Sequence, residues 1–337
     1  MLPVEASKFD AYTRHVSNYA SRQLSYRVDT YAAFAGIEES LFGPSATYYG
    51  LPLAHFDCAL RWYAGNDDGD PGNRKHEGIY FPTWSWCSKM RPRVAIRYFQ
   101  EYRQSFMGAL AAWYRCDDDI ADSIVAINAW TDTDLDMHWR TYMGIACSEG
   151  CVITNVDIVL NTQTWSQLHE MLEDGWPDYQ SFYQLLAAFV PDRDAVRLMR
   201  DTPGAILAKT QTSYFNLRIG DEDTLDIVDL RGRVVGDLCG DALRVKAKVE
   251  TGEALAHDHG GAFEFIALSV SAIFRPKISG HRQHYVDGDG EPFEYDPIVY
   301  VLLIGREGHI AHREALGWMY LMDWAASARE WKTILLQ

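Results

Sequence analysis

The feature that most constrains the fold is a set of long, β-type runs packed into the last third of the chain. Residues 205–219, 225–230, 233–239, 263–274 and 298–304 are rich in β-branched and aromatic residues, and 308–313 adds a further segment of the same kind. Such runs, bounded by turn residues, predict strands. Asp229-Leu230-Arg231-Gly232-Arg233 predicts a hairpin turn between two of them. After them the pattern predicts a helix over about 315–330 and a short strand from Trp331 to Leu336.

The beginning of the chain reads differently. Phe9, Tyr12, Val16 and Tyr19 recur at three- and four-residue spacing, the signature of one helical face. A second, Ala-rich helix is predicted from Thr30 to Phe42 and stops at Gly43-Pro44. Leu51-Pro52-Leu53 opens a short helix carrying Phe56, Leu60 and Trp62. Residues 65–78 form a polar loop, 93–99 alternate like a strand, and 100–115 fit a helix with Phe106, Leu110 and Trp113 on one side. Strands are expected at 124–130 and 151–160, and helices at 165–173 and 178–190. The class is therefore α+β, with N-terminal helices packed on a largely antiparallel C-terminal sheet or barrel. The expected division is a helical part over 1–120, with the FPTWSW segment, and a mixed then β-rich part over 121–337. One integrated domain is equally compatible, because no linker separates them.

Charge and composition exclude several classes. The formal net charge is −16, and the cationic residues form no run. Affinity for nucleic acid rests on cationic neutralisation of phosphates, so no nucleic-acid partner is expected, and an anionic membrane surface is disfavoured for the same reason. No apolar segment reaches the length of roughly 20 residues that spans a bilayer. The N-terminus lacks the basic-then-apolar pattern of a secretory signal. The six cysteines are scattered, without zinc-site spacing, and read as reduced thiols of a cytoplasmic protein. Eleven Trp, 19 Tyr and 14 Phe make the chain aromatic-rich. Such rings either fill a core or line an apolar ligand cavity.

Asp118-Asp119-x-x-Asp122 matches the DDxxD cluster by which class I terpene cyclases hold magnesium and a diphosphate. Its companion motif, N/D-D-x-x-S/T-x-x-x-E, is absent, and those enzymes are all-helical, so a solvated acidic turn competes with that reading. Acidic groups at Asp67/Asp68/Asp70, Asp221/Glu222/Asp223 and Asp287/Asp289/Glu291 read as surface loops. In the last of these, position 12 of a calcium loop would be Ile298, where a bidentate Glu is needed. His257/His259 and His281/His284 lack further ligands at metal spacing, so no metal is expected. GxGxxG, GxxxxGK[ST], GxSxG and HExxH do not occur. No cofactor is expected.

One ordered series of motifs carries a resemblance. YASRQLSYRVDTYAAFAGIEESL at 19–41 is followed by GLPLAHFDCALRW at 50–62 and FPTWSWC at 81–87. IVDLRGRVVG at 227–236, EFIALS at 264–269, VYVLLIGREGHIAHREALGWM at 299–319 and WKTILL at 331–336 come after. This order resembles the region C-terminal to the HET domain in fungal heterokaryon-incompatibility proteins. It spans about residues 12–336. The HET domain itself, with its signalling activity, is missing. Cys87-Ser88-Lys89 also departs from the family's usual continuation.

Stand-alone proteins similar to this region occur in fungal natural-product clusters. The likeness extends to the norbornene-forming Diels–Alderase type of diterpenoid (sordarin-type) biosynthesis. It implies a cofactor-independent cyclase, or pericyclase, acting on an apolar small-molecule substrate, a terpenoid intermediate. Such a reaction needs a near-attack shape and a hydrogen-bond donor on an activated carbonyl. Candidate donors are His138, Arg97, Tyr98 and Tyr300. Candidate walls are Trp84, Trp86, Trp113 and Trp139. In an extended FPTWSW, Trp84 and Trp86 share a face, as core plugs or as one pocket wall. A non-enzymatic interaction or regulatory module derived from incompatibility proteins, and a magnesium-dependent terpene cyclase, are the alternatives.

Overall fold

The computed structural model describes residues 4–20, 29–64, 75–76, 79–88, 94–96, 104–116, 123–127, 190–220, 224–240, 243–251, 262–276, 284–286 and 292–337. Helix α1 is Val4–Ala20 and α2 is Asp29–Phe42. On α1 the predicted stripe is the buried one: Phe9, Tyr12, Val16 and Tyr19 face inward, while Arg14, His15 and Asn18 are exposed. Helix α2 crosses it with Phe34 between the rings of Tyr12 and Tyr19, at 6.1 and 5.2 Å. It ends at Gly43, whose φ of +93° lets its N–H reach back to the Glu39 carbonyl at 2.9 Å. That left-handed cap favours glycine.

A run of short elements follows: β1 (Thr47–Tyr48), β2 (Leu51–Pro52), a 3₁₀ turn, α3 (Phe56–Ala59), β3 (Trp62–Ala64), β4 (Lys75–His76), β5 (Ile79–Tyr80) and β6 (Val94–Ile96). β6 pairs with β3. The main sheet comprises β7 (Gln104–Ala109), β8 (Ala111–Cys116), β9 (Ile124–Ala126), β10 (Ile206–Ile219), β11 (Leu225–Val228), β12 (Val234–Leu238), β13 (Phe263–Pro276), β14 (His284–Val286), β15 (Pro292–Glu307), β16 (Ile310–Tyr320) and β17 (Glu330–Leu336). All its pairings are antiparallel except β16 with β17. Helices α4 (Arg193–Asp201), α5 (Leu243–Glu250) and α6 (Leu321–Ala326) complete the described chain. The fold is α+β.

The pairings run in a circle. β13 joins β15, then β16, β12, β11 and β10, and β10 returns to β13 through Thr212–Phe215 against Phe263–Ile266. Six strands thus close a barrel. Each contributes to one apolar cluster, through Phe215, Ile227, Val235, Phe265, Val301 and Met319 among others. A cluster fed by all six strands is the barrel interior, because alternate residues of a strand point to opposite faces. Trp324 of α6 stacks on Phe215 at 6.1 Å, inside the same cluster. The other face of β13, β15 and β16 carries Ile266, Leu268, Ile298, Tyr300, Leu302 and Leu316, packed with α1, α2, α3 and the FPTWSW segment. The functional candidates gather at this junction.

Three expectations are corrected. Residues 104–116 are strands, not a helix. Along 109–113 the side chains alternate between the two clusters, so Leu110 faces the barrel interior and Trp113 the helical layer. With both faces apolar, the helical spacing of these large residues was a coincidence. The region 315–330 is mostly strand as well: β16 runs to Tyr320 and the helix is only Leu321–Ala326. Long pairing with β15 and with β12 overrides the helix preference of Glu, Ala and Leu there. Third, FPTWSWC is a turn followed by a 3₁₀ turn rather than an extended segment. Ser85 N–H donates to the Pro82 carbonyl at 3.0 Å, and Ser88 N–H to that of Ser85 at 3.1 Å. α4 and α5 were not expected. β7 and β8, from the first 120 residues, pair into the C-terminal sheet, so the sheet crosses that boundary. The predicted elements at 151–160 and 165–173, and that at 178–190 up to residue 189, lie outside the described residues.

Candidate functional site

The turn at 81–87 is held on three sides. Trp84 Nε1 donates to the Gly204 carbonyl at 3.0 Å, and Trp86 Nε1 to that of Gly50 at 3.1 Å. The two indoles therefore point to different partners. Ser85 Oγ donates to the Tyr49 carbonyl at 2.6 Å and accepts from Cys87 N–H at 3.1 Å. Thr83 Oγ1 donates to the Gln337 carbonyl and accepts from Arg313 N–H at 2.8 Å. Gly50 has φ +86°, and a Cβ there would lie 3.0 Å from Cys87 Sγ, so both its backbone and its lack of a side chain are required.

Around Trp84 the rings form a continuous wall. Tyr48 stacks on it at 5.7 Å, Tyr49 and Phe56 meet it edge-on at 5.6 and 5.7 Å, and Phe56 leads on to Trp113 at 5.7 Å. Trp113 Nε1 donates to Asp57 Oδ1 at 2.8 Å. Trp84 and Trp113 have no exposed surface and Trp86 has 2%. All three are enclosed, with each indole N–H bonded inside the fold.

Two arginines are buried in this apolar layer. Arg61 follows α3 and lies over the Tyr300 ring at 4.4 Å; its Nη2 and Nε donate to Ser269 Oγ at 2.7 and 3.2 Å. Arg313 on β16 lies over the Trp62 ring at 3.8 Å, and donates to the carbonyls of Leu60 (2.7 Å) and Trp62. Burial lowers the Arg313 pKa to about 9, so the group stays cationic at neutral pH. Near Arg61, burial pushes the Cys58 thiol up to about 11, with Arg61 opposing and Asp57 adding to the rise. This thiol is inert at neutral pH.

Both arginines depend on irregularities in the barrel. Where β13 meets β15, the register shifts between Ala267 and Ser269, leaving Leu268 as an extra residue. Ile266 and Leu268 both face the helical layer, whereas Ala267 and Val270 face the interior. The shift turns Ser269 out of the barrel, opposite Tyr300 and beneath Arg61. On β16 the register shifts again: Leu303 pairs with Ala315 but Ile304 with Arg313, leaving Glu314 extra. Ala315 faces the interior while Ala311 and Leu316 face the helices. In a regular strand Arg313, two residues before Ala315, would share its interior face. Bulges that re-aim a side chain are over-represented beside active sites.

Of the predicted site residues, Tyr300, Trp84, Trp86 and Trp113 come together at this junction. Arg97, Tyr98, His138 and Trp139 lie outside the described residues. So do Asp118, Asp119 and Asp122 and the other acidic loops, the pair His257/His259, and His281. Sequence reasoning missed Arg61, Ser269 and Arg313. A signal existed in Ala59-Leu60-Arg61-Trp62, a single charge inside an apolar run. Among the described residues no group of three His, Cys, Asp or Glu side chains is placed to hold a metal ion. No described helix is long and apolar enough to cross a membrane. Compared with protein-family models, with curated proteins and with solved structures, the chain matches none.

Proposed function

We propose that the chain is a cofactor-independent cyclase, of the intramolecular Diels–Alder type, acting on an apolar terpenoid intermediate. Its likeness to the region after the HET domain, and to the norbornene-forming enzymes similar to that region, belongs to the same proposal. The observation that carries it is the pair of bulges. Each turns a polar residue into a ring-walled, apolar layer at the helix–barrel junction, and each serves a buried guanidinium. Such a layer suits a substrate of hydrocarbon character. A fixed cation in low dielectric stabilises the charge that develops on a dienophile carbonyl as the new bonds form. Arg61, set by Ser269 and Tyr300, supplies that charge.

The test is to incubate the purified protein with a linear terpenoid aldehyde bearing a tethered diene. Cyclised product should form faster than in buffer, with one diastereomer enriched. Arg61→Lys should keep the melting temperature within a few degrees while lowering that rate by roughly 10²-fold. Background rate and background product ratio with the native protein would sink the reading.

A second reading, an interaction module derived from incompatibility proteins, is favoured by one observation. Leu230 and Val234 at the β11–β12 hairpin and Met322 on α6 are exposed by 79%, 41% and 56%, and Arg233 ties hairpin to helix through Asp323 at 2.7 Å. In that case Leu230→Asp should abolish partner binding, and the native protein should give no cyclisation above the buffer rate.

A further inference from the structure

Glu38 is the most enclosed carboxyl of the helical layer, at 2% exposure. It sits on the inward stripe of α2, one turn after Phe34, which packs edge-on against Trp86 at 4.9 Å. Its Oε2 accepts from Thr47 Oγ1 at 2.9 Å, whereas Oε1 has no hydrogen-bond partner. Thr47 and the Gly50 main chain also hydrogen-bond the Tyr31 hydroxyl, which is half-buried at the rim. The titratable groups around Glu38 are Tyr12 from α1, Tyr31 from α2 itself and Cys87 from the turn; each is neutral, and the presence of Glu38 raises the pKa of each. No cation forms an ion pair with it among the described residues. This is an unusual place for a carboxylate. A buried charge without a counter-ion is costly, whereas a carboxylic acid needs only hydrogen bonds.

We propose that Glu38 is a latch: with its proton on, it closes α2 over the turn at 82–87, and with its proton off it releases that contact. Thr47 and Tyr31 give the proton a hydrogen-bonded route to the rim. The proposal is independent of the cyclase reading, which assigns Glu38 no role.

Burial lifts the pKa of Glu38 from 4.5 to about 7, with Thr47 opposing. The sign follows from that direction. Released, the group ionises near 4.5; closed, near 7. The closed form is therefore favoured most below pH 4.5, loses ground as the pH rises, and has lost all of this contribution above about pH 7. Opening should increase by about 70-fold between pH 5 and pH 8.

Hydrogen exchange of the native protein at pH 5, 6, 7 and 8, corrected for intrinsic rates, reads this directly. Peptides covering 29–42 and 81–88 should lose protection over that range relative to the barrel peptide 299–319. Glu38→Gln, a permanently neutral isostere, should remove the trend. Equal pH dependence in both proteins, or a flat profile in the native one, would overturn the latch. The native profile alone decides if the variant does not fold.

Discussion

Glu264 and Glu38 are each 2% exposed, yet their neighbours make opposite demands on them. Burial would raise the Glu264 pKa, but Arg306, at 2.5 and 2.9 Å, and Lys332, at 3.5 Å, hold it below the usual range. Its contribution is present at neutral pH and is lost as the pH falls through its lowered pKa. Glu264→Gln should therefore cost about 3 kcal/mol at pH 7. Urea titrations should show the deficit shrinking below pH 4. The tryptophans allow a second prediction. Trp84 and Trp86 are both enclosed, so Trp84→Ala and Trp86→Ala should each cost about 3–5 kcal/mol. Chemical denaturation measures this, and a loss under 1 kcal/mol in either would show that its ring borders empty space instead of a packed core.

Elements were legible where one face is apolar and the other is not. The α1 stripe qualifies, and so does the hairpin at Asp229–Arg233, where Gly232 has φ +80° and Asp229 Oδ1 accepts from Arg231 and Arg233 N–H. Strands buried on both faces were not always legible: β8 carries apolar residues on each side, so its alternation is invisible in the letters. The site was half legible. Aromatic residues announced themselves by type, but a bulge is one unpaired residue, and only pairing partners distant in sequence reveal it. Glu38 had a signal that went unread, a carboxyl four residues after Phe34 on an apolar stripe. Close strand approach yields a prediction at this scale. A Cβ at Gly236 would lie 2.0 Å from the Trp318 carbonyl oxygen, where β12 meets β16. Gly236→Ala should cost about 1–3 kcal/mol or more. An unchanged melting temperature would mean that this pairing is looser than the register states.

For the whole molecule, the acidic cluster separates two chemistries. Replacing Asp118, Asp119 and Asp122 together by Asn should leave turnover unchanged, and chelation of divalent ions should do nothing. Loss of turnover in either experiment would favour the magnesium-dependent cyclase. A different consequence follows from which residues hold the helical layer to the barrel. Arg61 bonds Ser269 across 208 positions, and Arg313 reaches Leu60 across 253. Contacts this distant in sequence form slowly, because loop closure precedes any gain. During synthesis, at about 5–20 residues per second, the helical layer emerges tens of seconds before the strands that cover it. For that interval Trp84, Trp86 and Trp113 have no barrel to pack on. The nascent first third is therefore the part of this protein that needs a chaperone, and ribosome-bound chains halted near residue 200 should recruit one more strongly than chains halted after residue 320.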